Sequence, residues 1–102
     1  MKILRQILGR RGLMVLSAES ILACGLGVYD AGYVGLFDIV TAEEHRRQGY
    51  GQELVESLLG WGLLNNALYG YLQVVAENQP AVRLYEKLGF QEVYRYWYRV
   101  LK

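Results

Sequence analysis

From Leu13 onward the apolar residues come in short runs separated by turn residues, and the runs are rich in valine, isoleucine and tyrosine. That is the composition of strands. Leu13 to Leu16, Ile21 to Tyr29 and Tyr33 to Val40 are predicted as three strands. Asp30, Ala31 and Gly32 separate the last two, and a three-residue connection with glycine suits an antiparallel hairpin. Gly25 and Gly27 fall inside the middle run, where a missing side chain weakens a strand. At Tyr50 the period changes. Over Tyr50 to Asn65, Leu54, Leu58 and Trp61 share one face with Val55, Leu59 and Gly62 beside them, which is a helical stripe. Leu72 to Val75 then reads as a short buried strand. Pro80 to Leu88 reads as a second helix, with proline in its first turn and Gly89 just past its end, and Phe90 to Leu101 as two aromatic-rich strands. Ahead of all these, Ile3, Leu4, Ile7 and Leu8 give Met1 to Arg11 an apolar stripe at helical spacing, predicting a short basic helix.

A strand, a crossover helix and a second strand make a right-handed unit whose strands can lie parallel, and ligands gather at the carboxyl ends of such strands. The segment Thr41 to Gly49 lies at such an end. With 102 residues, 53% of them hydrophobic, the chain has apolar material for one core, and no repeat, low-complexity tract or linker divides it. A single domain over residues 1–102 is expected.

Charge and cysteine content narrow the chemistry. Eleven basic residues against ten acidic ones leave a formal net charge of +1, so the broad attraction to a phosphate backbone is missing and nucleic acid is not an expected partner. An anion site has to be local. Cys24 is the single cysteine, which excludes an internal disulfide and cysteine-based zinc clusters and fits a cytoplasmic setting. Basic and apolar residues are mixed through the N-terminal segment, unlike a signal peptide or a spanning helix, so no membrane role is expected.

The local anion site is legible in the run TAEEHRRQGYG, where Arg46, Arg47, Gly49 and Gly51 stand just before the helical period begins. The first amides of a helix have no partner within it, the helix dipole adds partial positive charge, and glycine lets a ligand approach the backbone. Arginine supplies a forked cation matched to phosphate oxygens. Two other readings stand beside this one: the glycines shape a tight turn, and the arginines form a solvated surface. ATP and NAD fit poorly, since the lysine and hydroxyl residue of a P-loop are absent and the glycine spacing is not GxGxxG.

Downstream, in VVAENQPAVRLYEKLGF, Asn78, Ala81 and Tyr85 fall along one side of the second helix, away from Leu84 and Leu88. An asparagine there is commonly a helix cap and a tyrosine commonly a packed aromatic. A phenol placed so can also donate a proton to a leaving group.

Both segments resemble the GNAT superfamily of N-acetyltransferases. Arg46, Gly49 and Gly51 match that family's signature of arginine or glutamine, x, x, glycine, x, glycine or alanine, and ENQPAVRLYEKLGF is similar to the family segment that follows it. The two segments cover roughly Tyr33 to Phe90, in the family's order. The resemblance implies a mixed, mostly antiparallel α/β (α+β) sheet with a central splayed parallel pair and helices on both faces. It also implies acetyl-CoA as the cofactor, with a core for it over residues 33–90. The implied cofactor contacts are Ile39, Val40 and Thr41 at the strand gap, Arg46, Arg47, Gln48, Gly49, Tyr50, Gly51 and Gln52 around the pyrophosphate, and Asn78, Ala81 and Tyr85 along the pantetheine arm. Tyr85 is the implied general acid toward the departing thiolate, a backbone amide near Ile39 meets the oxyanion, and no metal takes part.

The implied function is acetyl transfer from acetyl-CoA to a primary amine of a small molecule or peptide by direct attack; the alternative is an acyl-CoA binding domain that lacks its acceptor half. Two departures from the family bear on that choice. Gly35 stands where some members carry a glutamate base, and Asp38, on the same strand, is expected by alternation to face away from Ile39. Glu43, Glu44 and His45 lie in the loop, where solvated charge is the commoner reading. The chain also has only Met1 to Gly12 where the family has a further strand and helices. Three arrangements agree with that length: a C-terminal domain of a longer protein, a naturally minimal member, or a homodimer that completes its site through the aromatic run VYRYWYRVL, for whose residues ordinary strand positions are the commoner reading.

Overall fold

A computed structural model describes residues 3–7, 11–18, 20–43, 46, 48–74, 77–93 and 96–101. The elements in chain order are strands β1 (Ile3–Ile7), β2 (Arg11–Ser17), β3 (Ile21–Asp30) and β4 (Tyr33–Thr41), helix α1 (Tyr50–Leu64), β5 (Tyr69–Leu72), helix α2 (Gln79–Lys87), β6 (Gln91–Val93) and β7 (Tyr96–Val100). Among the described residues the strands form one seven-stranded sheet in the order β1-β2-β3-β4-β5-β7-β6. β4 and β5 pair in parallel, and the other described pairs are antiparallel. The mixed, mostly antiparallel sheet with a central parallel pair is therefore as expected.

Three expectations are corrected. The N-terminal segment is not a helix: Ile3–Ile7 is an edge strand, paired from Ile3 with Ser17 to Ile7 with Leu13. A lone helix of ten or so residues is marginal in water, whereas the free edge of β2 satisfies a strand's amides at once. The fifth strand is Tyr69–Leu72, ahead of the expected Leu72 to Val75; Val75 itself lies outside the described residues. Gly70 hid its alternation in the sequence. The strand begins at Tyr69 because the amides of Leu68 and Tyr69 both donate to the Gly32 carbonyl, at 2.7 and 3.2 Å, which ties β5 to the turn between β3 and β4. Finally, α1 and α2 lie on the same face of the sheet, so neither supplies a layer on the other face. Both crossovers proceed in one direction across the sheet, and a right-handed connection then carries both helices to one side.

Parity explains the core. Met14, Leu16, Ala23, Val34, Leu36, Leu72 and Trp97 point from their strands toward the helices and are buried with Leu54, Val55, Leu58 and Leu59 of α1 and with Tyr85, Leu88 and Phe90. Gly25 and Gly27, which weaken β3 as a strand, bring α1 close: a Cβ on Gly27 would stand 2.9 Å from the Trp61 ring. The opposite face carries tyrosines in mutual contact, Tyr33 stacked on Tyr69 with centroids 5.2 Å apart and Tyr71 edge-on to Tyr96 at 6.2 Å.

Two glycines of α1 have opposite roles. A Cβ on Gly62 would meet Val34 at 2.6 Å, whereas a Cβ on Gly60 meets nothing within 4 Å. Gly62→Ala is expected to destabilise the fold by about 1–2 kcal/mol, overpacking outweighing the gain in helix propensity. Gly60→Ala is expected to stabilise it by about 0.5–1 kcal/mol. Urea denaturation of the two variants beside the parent checks the opposite signs.

Candidate functional site

The parallel ladder between β4 and β5 runs from Tyr33 with Tyr69 to Leu36 with Leu72 and stops, although β4 continues to Thr41. The cause lies in β4 itself. Its pairing with β3 shifts between Leu26 with Phe37 and Cys24 with Val40, so Asp38 and Ile39 together oppose Gly25, and Asp38 takes a left-handed φ of 53°. This is a bulge, which bends the strand and breaks its alternation. Ile39 and Thr41 consequently turn toward the helix face, where Ile39 Cδ1 fills the space left by Gly25. The strands part above Leu36 and Leu72, as the splayed pair requires.

The gap holds a cleft of about 380 Å³ lined by Phe37, Asp38, Ile39, Asn78, Tyr85 and Tyr96, among others. A second cleft of about 640 Å³ adjoins it and shares Asn78 and Ala81. Its walls include Val40, Thr41, Arg46, Gly49, Tyr50, Gly51 and Gln52. The two clefts lie side by side between the start of α1 and the strand gap. Pro80 and Leu84 also line the second cleft, although their patterns read only as a helix start and a core position.

Gly49 is the N-cap of α1, with φ 84° and ψ 4°, and no side chain caps the helix. A left-handed cap is open to glycine at little cost, and it leaves the amides of Gly51 and Gln52 at that end for an anion. Glycine at 51 also keeps the approach clear, since a Cβ there would lie 3.2 Å from the Thr41 hydroxyl oxygen. Arg46 is exposed on the rim of the second cleft. Gln48 is exposed and lines neither cleft, and Arg47, Glu44 and His45 lie outside the described residues.

At the start of α2, Asn78 is the helix cap: the Ala81 amide donates to its Oδ1 at 3.3 Å. Asn78 is thus a cap that also lines both clefts. Tyr85 is 7% exposed and packs edge-on against Phe90 at 5.7 Å. Its ring belongs to the core and its residue borders the cleft. Among the described residues its hydroxyl has no hydrogen-bond partner, an arrangement that buried phenols rarely tolerate without a ligand or water. Burial raises its pKa above the ordinary value of 10.0, so the hydroxyl stays protonated at neutral pH and is able to donate.

The known proteins similar to this chain point the same way. The sequence model of the acetyltransferase (GNAT) family matches residues 5–90. The uncharacterized N-acetyltransferase YobR of Bacillus subtilis is 43% identical over 82 residues, which cover 80% of this chain and 33% of YobR. The chain thus spans about a third of the length of the curated relatives it matches. Among solved structures, a Klebsiella pneumoniae protein assigned as an acyl-CoA N-acyltransferase superposes with a TM-score of 0.88 at 14% identity, covering 100% of this chain and 99% of that one. A Bacillus anthracis protein assigned as a streptothricin acetyltransferase, crystallised in complex with acetyl coenzyme A, gives a TM-score of 0.84 at 19% identity over 89% of this chain and 63% of its own. At those identities the two structures establish the fold.

Because the folded pKa of Tyr85 lies above its unfolded value, its contribution to stability is complete below about pH 10 and is lost as the pH rises through the folded pKa. Thermal melts between about pH 9 and 11 should show a steeper fall for the parent than for Tyr85→Phe. Part of the fall remains in the variant, since Tyr71 is also raised, by burial first and then by Tyr96, Tyr98 and Asp30.

Proposed function

The chain belongs to the GNAT acetyltransferase family, and on that premise we propose that it binds acetyl-CoA across the two clefts and transfers the acetyl group to a primary amine. The observation that carries the proposal is the adjacency of the two clefts. An uncapped helix start, matched to a diphosphate, opens on one cleft, and the cleft beside it, which shares Asn78 and Ala81, is bordered by a buried tyrosine at a gap between parallel strands.

Acetyl-CoA supplies an acyl group already activated as a thioester. The remaining work falls to the chain. Amides at Gly51 and Gln52 and the guanidinium of Arg46 hold the pyrophosphate, by charge and by directed hydrogen bonds. Above Leu36, β4 has lost β5 as a neighbour, and its backbone at Ile39, Val40 and Thr41 is left to pair with the amide groups of the pantetheine arm. Asn78, whose Oδ1 is engaged in capping α2, has its Nδ2 to donate to the same arm. The Ile39 amide meets the carbonyl oxygen as negative charge develops there. Tyr85 gives its proton to the departing sulfur, and its raised pKa keeps that proton in place until then. Arg47 and Gln48 are proposed as further pyrophosphate contacts on the strength of the loop sequence alone. A cytoplasmic setting fits the single free cysteine, Cys24, and no helix among the described residues is long and apolar enough to cross a membrane.

The test joins binding to turnover. Acetyl-CoA and desulfo-coenzyme A should raise the melting temperature and ATP and NADH should not, since a ligand selective for the folded form stabilises it. With an amine present, thiol release should fall about a hundred-fold in Tyr85→Phe, the scale of a lost general acid. A melting shift without thiol release from any amine would assign the chain to cofactor binding alone. No shift with either coenzyme would overturn the proposal.

A further inference from the structure

The far end of the sheet, where β4 and β5 begin and β7 ends, holds a cleft that takes no part in the proposed transfer. Its volume is about 840 Å³, and it shares no lining residue with the two clefts described above. The short length of β6 creates it. Gln91–Val93 pairs with Tyr96 to Tyr98, while β7 continues to Val100. Before Gln91 the chain turns away from β7: Gly89 takes a left-handed φ of 92°, and the amides of Gly89 and Phe90 donate back to the carbonyls of Glu86 and Tyr85 at 3.0 and 2.9 Å. Among the described residues, the edge of β7 past Tyr98 therefore has no neighbouring strand. In an antiparallel ladder successive residues turn their amides to opposite sides. The Leu101 amide donates to Leu68, on the β5 side, at 2.8 Å, so the Val100 amide points to the open edge.

Around that edge the lining side chains fall into two groups. Lys87 and Arg99 supply positive charge. Arg99, two residues past the buried Trp97, shares its side of the sheet, with Cδ and Nε 4.0 Å from where a Cβ on Gly89 would be. Among the described lining residues none is an aspartate or glutamate, and the neighbouring Glu86 and Glu92 are exposed outside the cleft. The carbonyls that end α2 are engaged by the returning amides. Lys87 Nζ donates to the uncharged Gln52, and Arg99 has no ion pair among the described residues. The second group is aromatic. Tyr33 and Tyr69 stack with centroids 5.2 Å apart, and Tyr98 stands edge-on to Tyr33 at 6.4 Å. The stacked rings are 40% and 39% exposed, which leaves ring surface for a ligand.

We propose that this cleft binds an aromatic carboxylate, its ring against Tyr33, Tyr69 and Tyr98 and its carboxylate on the forked guanidinium of Arg99. Lys87 and the Val100 amide are further donors to the same group. The ligand class follows by elimination. A cation would be opposed by Lys87 and Arg99. A neutral aromatic would leave both cations unanswered, and an aliphatic anion would leave the rings without the edge or face contacts they favour. The planar carboxylate matches the two parallel N–H groups of a guanidinium. The site is independent of acetyl transfer.

Titration calorimetry on the full chain with phenylacetate, cyclohexylacetate and the neutral 2-phenylethanol tests it. Phenylacetate should bind at least about five-fold more tightly than either of the others. Arg99→Gln should weaken both carboxylates about ten-fold and leave the alcohol as in the parent. Tyr69→Leu should weaken the two phenyl probes about three- to five-fold and leave cyclohexylacetate as in the parent. Should Arg99→Gln not fold, Lys87→Gln, at an exposed position, repeats the charge comparison with an expected loss of about three-fold. Saturating acetyl-CoA should not change the affinity for phenylacetate. No saturable binding of phenylacetate, equal binding of the three probes, displacement by acetyl-CoA, or parental affinities in the variants would overturn the site. A parent that shows no melting shift with acetyl-CoA would strike the transfer reading instead, and the three-probe titration would still decide this one.

Discussion

Strands β4 and β5 pair through Leu36 and Leu72 and then separate, and the separation is built into the core. Backbone amides and carbonyls left without partners are costly unless water or a ligand satisfies them, so a sheet opened at its centre has to be held open. The bulge at Asp38 and Ile39 does this. It adds a residue opposite Gly25, redirects Ile39 into the place a side chain on Gly25 would occupy, and so locks the bend against Leu54 and Leu58 of α1. Closing the gap would require Ile39 to leave that packing. The opening and the best-packed part of the molecule are thus one arrangement.

Handedness does the rest of the positioning. Two right-handed crossovers in the same direction put α1 and α2 side by side with their N-termini at the open end of the sheet. Lys87 Nζ donates to Gln52 Oε1 at 3.3 Å, and Leu84 approaches Gly51, so the start of α1 also meets the second half of α2. One N-terminus is left bare by a left-handed glycine and the other is capped by Asn78. That difference fits them for different work in the proposed function: the bare end for an anion, the capped end as a rigid wall that carries Tyr85 about two turns further on. The helix-free face is left to aromatic side chains, among them Tyr33, Tyr69, Tyr71 and Tyr96.

Much of this was legible in the sequence because local rules sufficed. The hairpin at Asp30 to Gly32, the amphipathic period of α1 and the proline-started α2 depend on neighbours within a few residues, and each formed within one or two residues of its expected bounds. The glycines and arginine of the loop pointed to the proposed anion site in the same way, since a helix start needs no distant partner to present its amides. The expectations that failed were those whose outcome depended on the rest of the sheet. Ile3–Ile7 had the spacing of a helical stripe and became a strand because an edge was available, and Tyr69–Leu72 became a strand because a turn carbonyl and two neighbouring strands received it.

By itself, then, the chain's sequence determined the element types with strong periods, the family resemblance and the residues at the bare helix start, all of which rest on short-range backbone and side-chain preferences. Tertiary structure alone decided that Gly25 would face a bulge, that Tyr71 would lie over Gly35, and that Asp38 would face the cleft in spite of simple alternation. Those outcomes come from strand register and from which atoms compete for the same volume. Neither quantity exists until residues far apart in the chain are brought together.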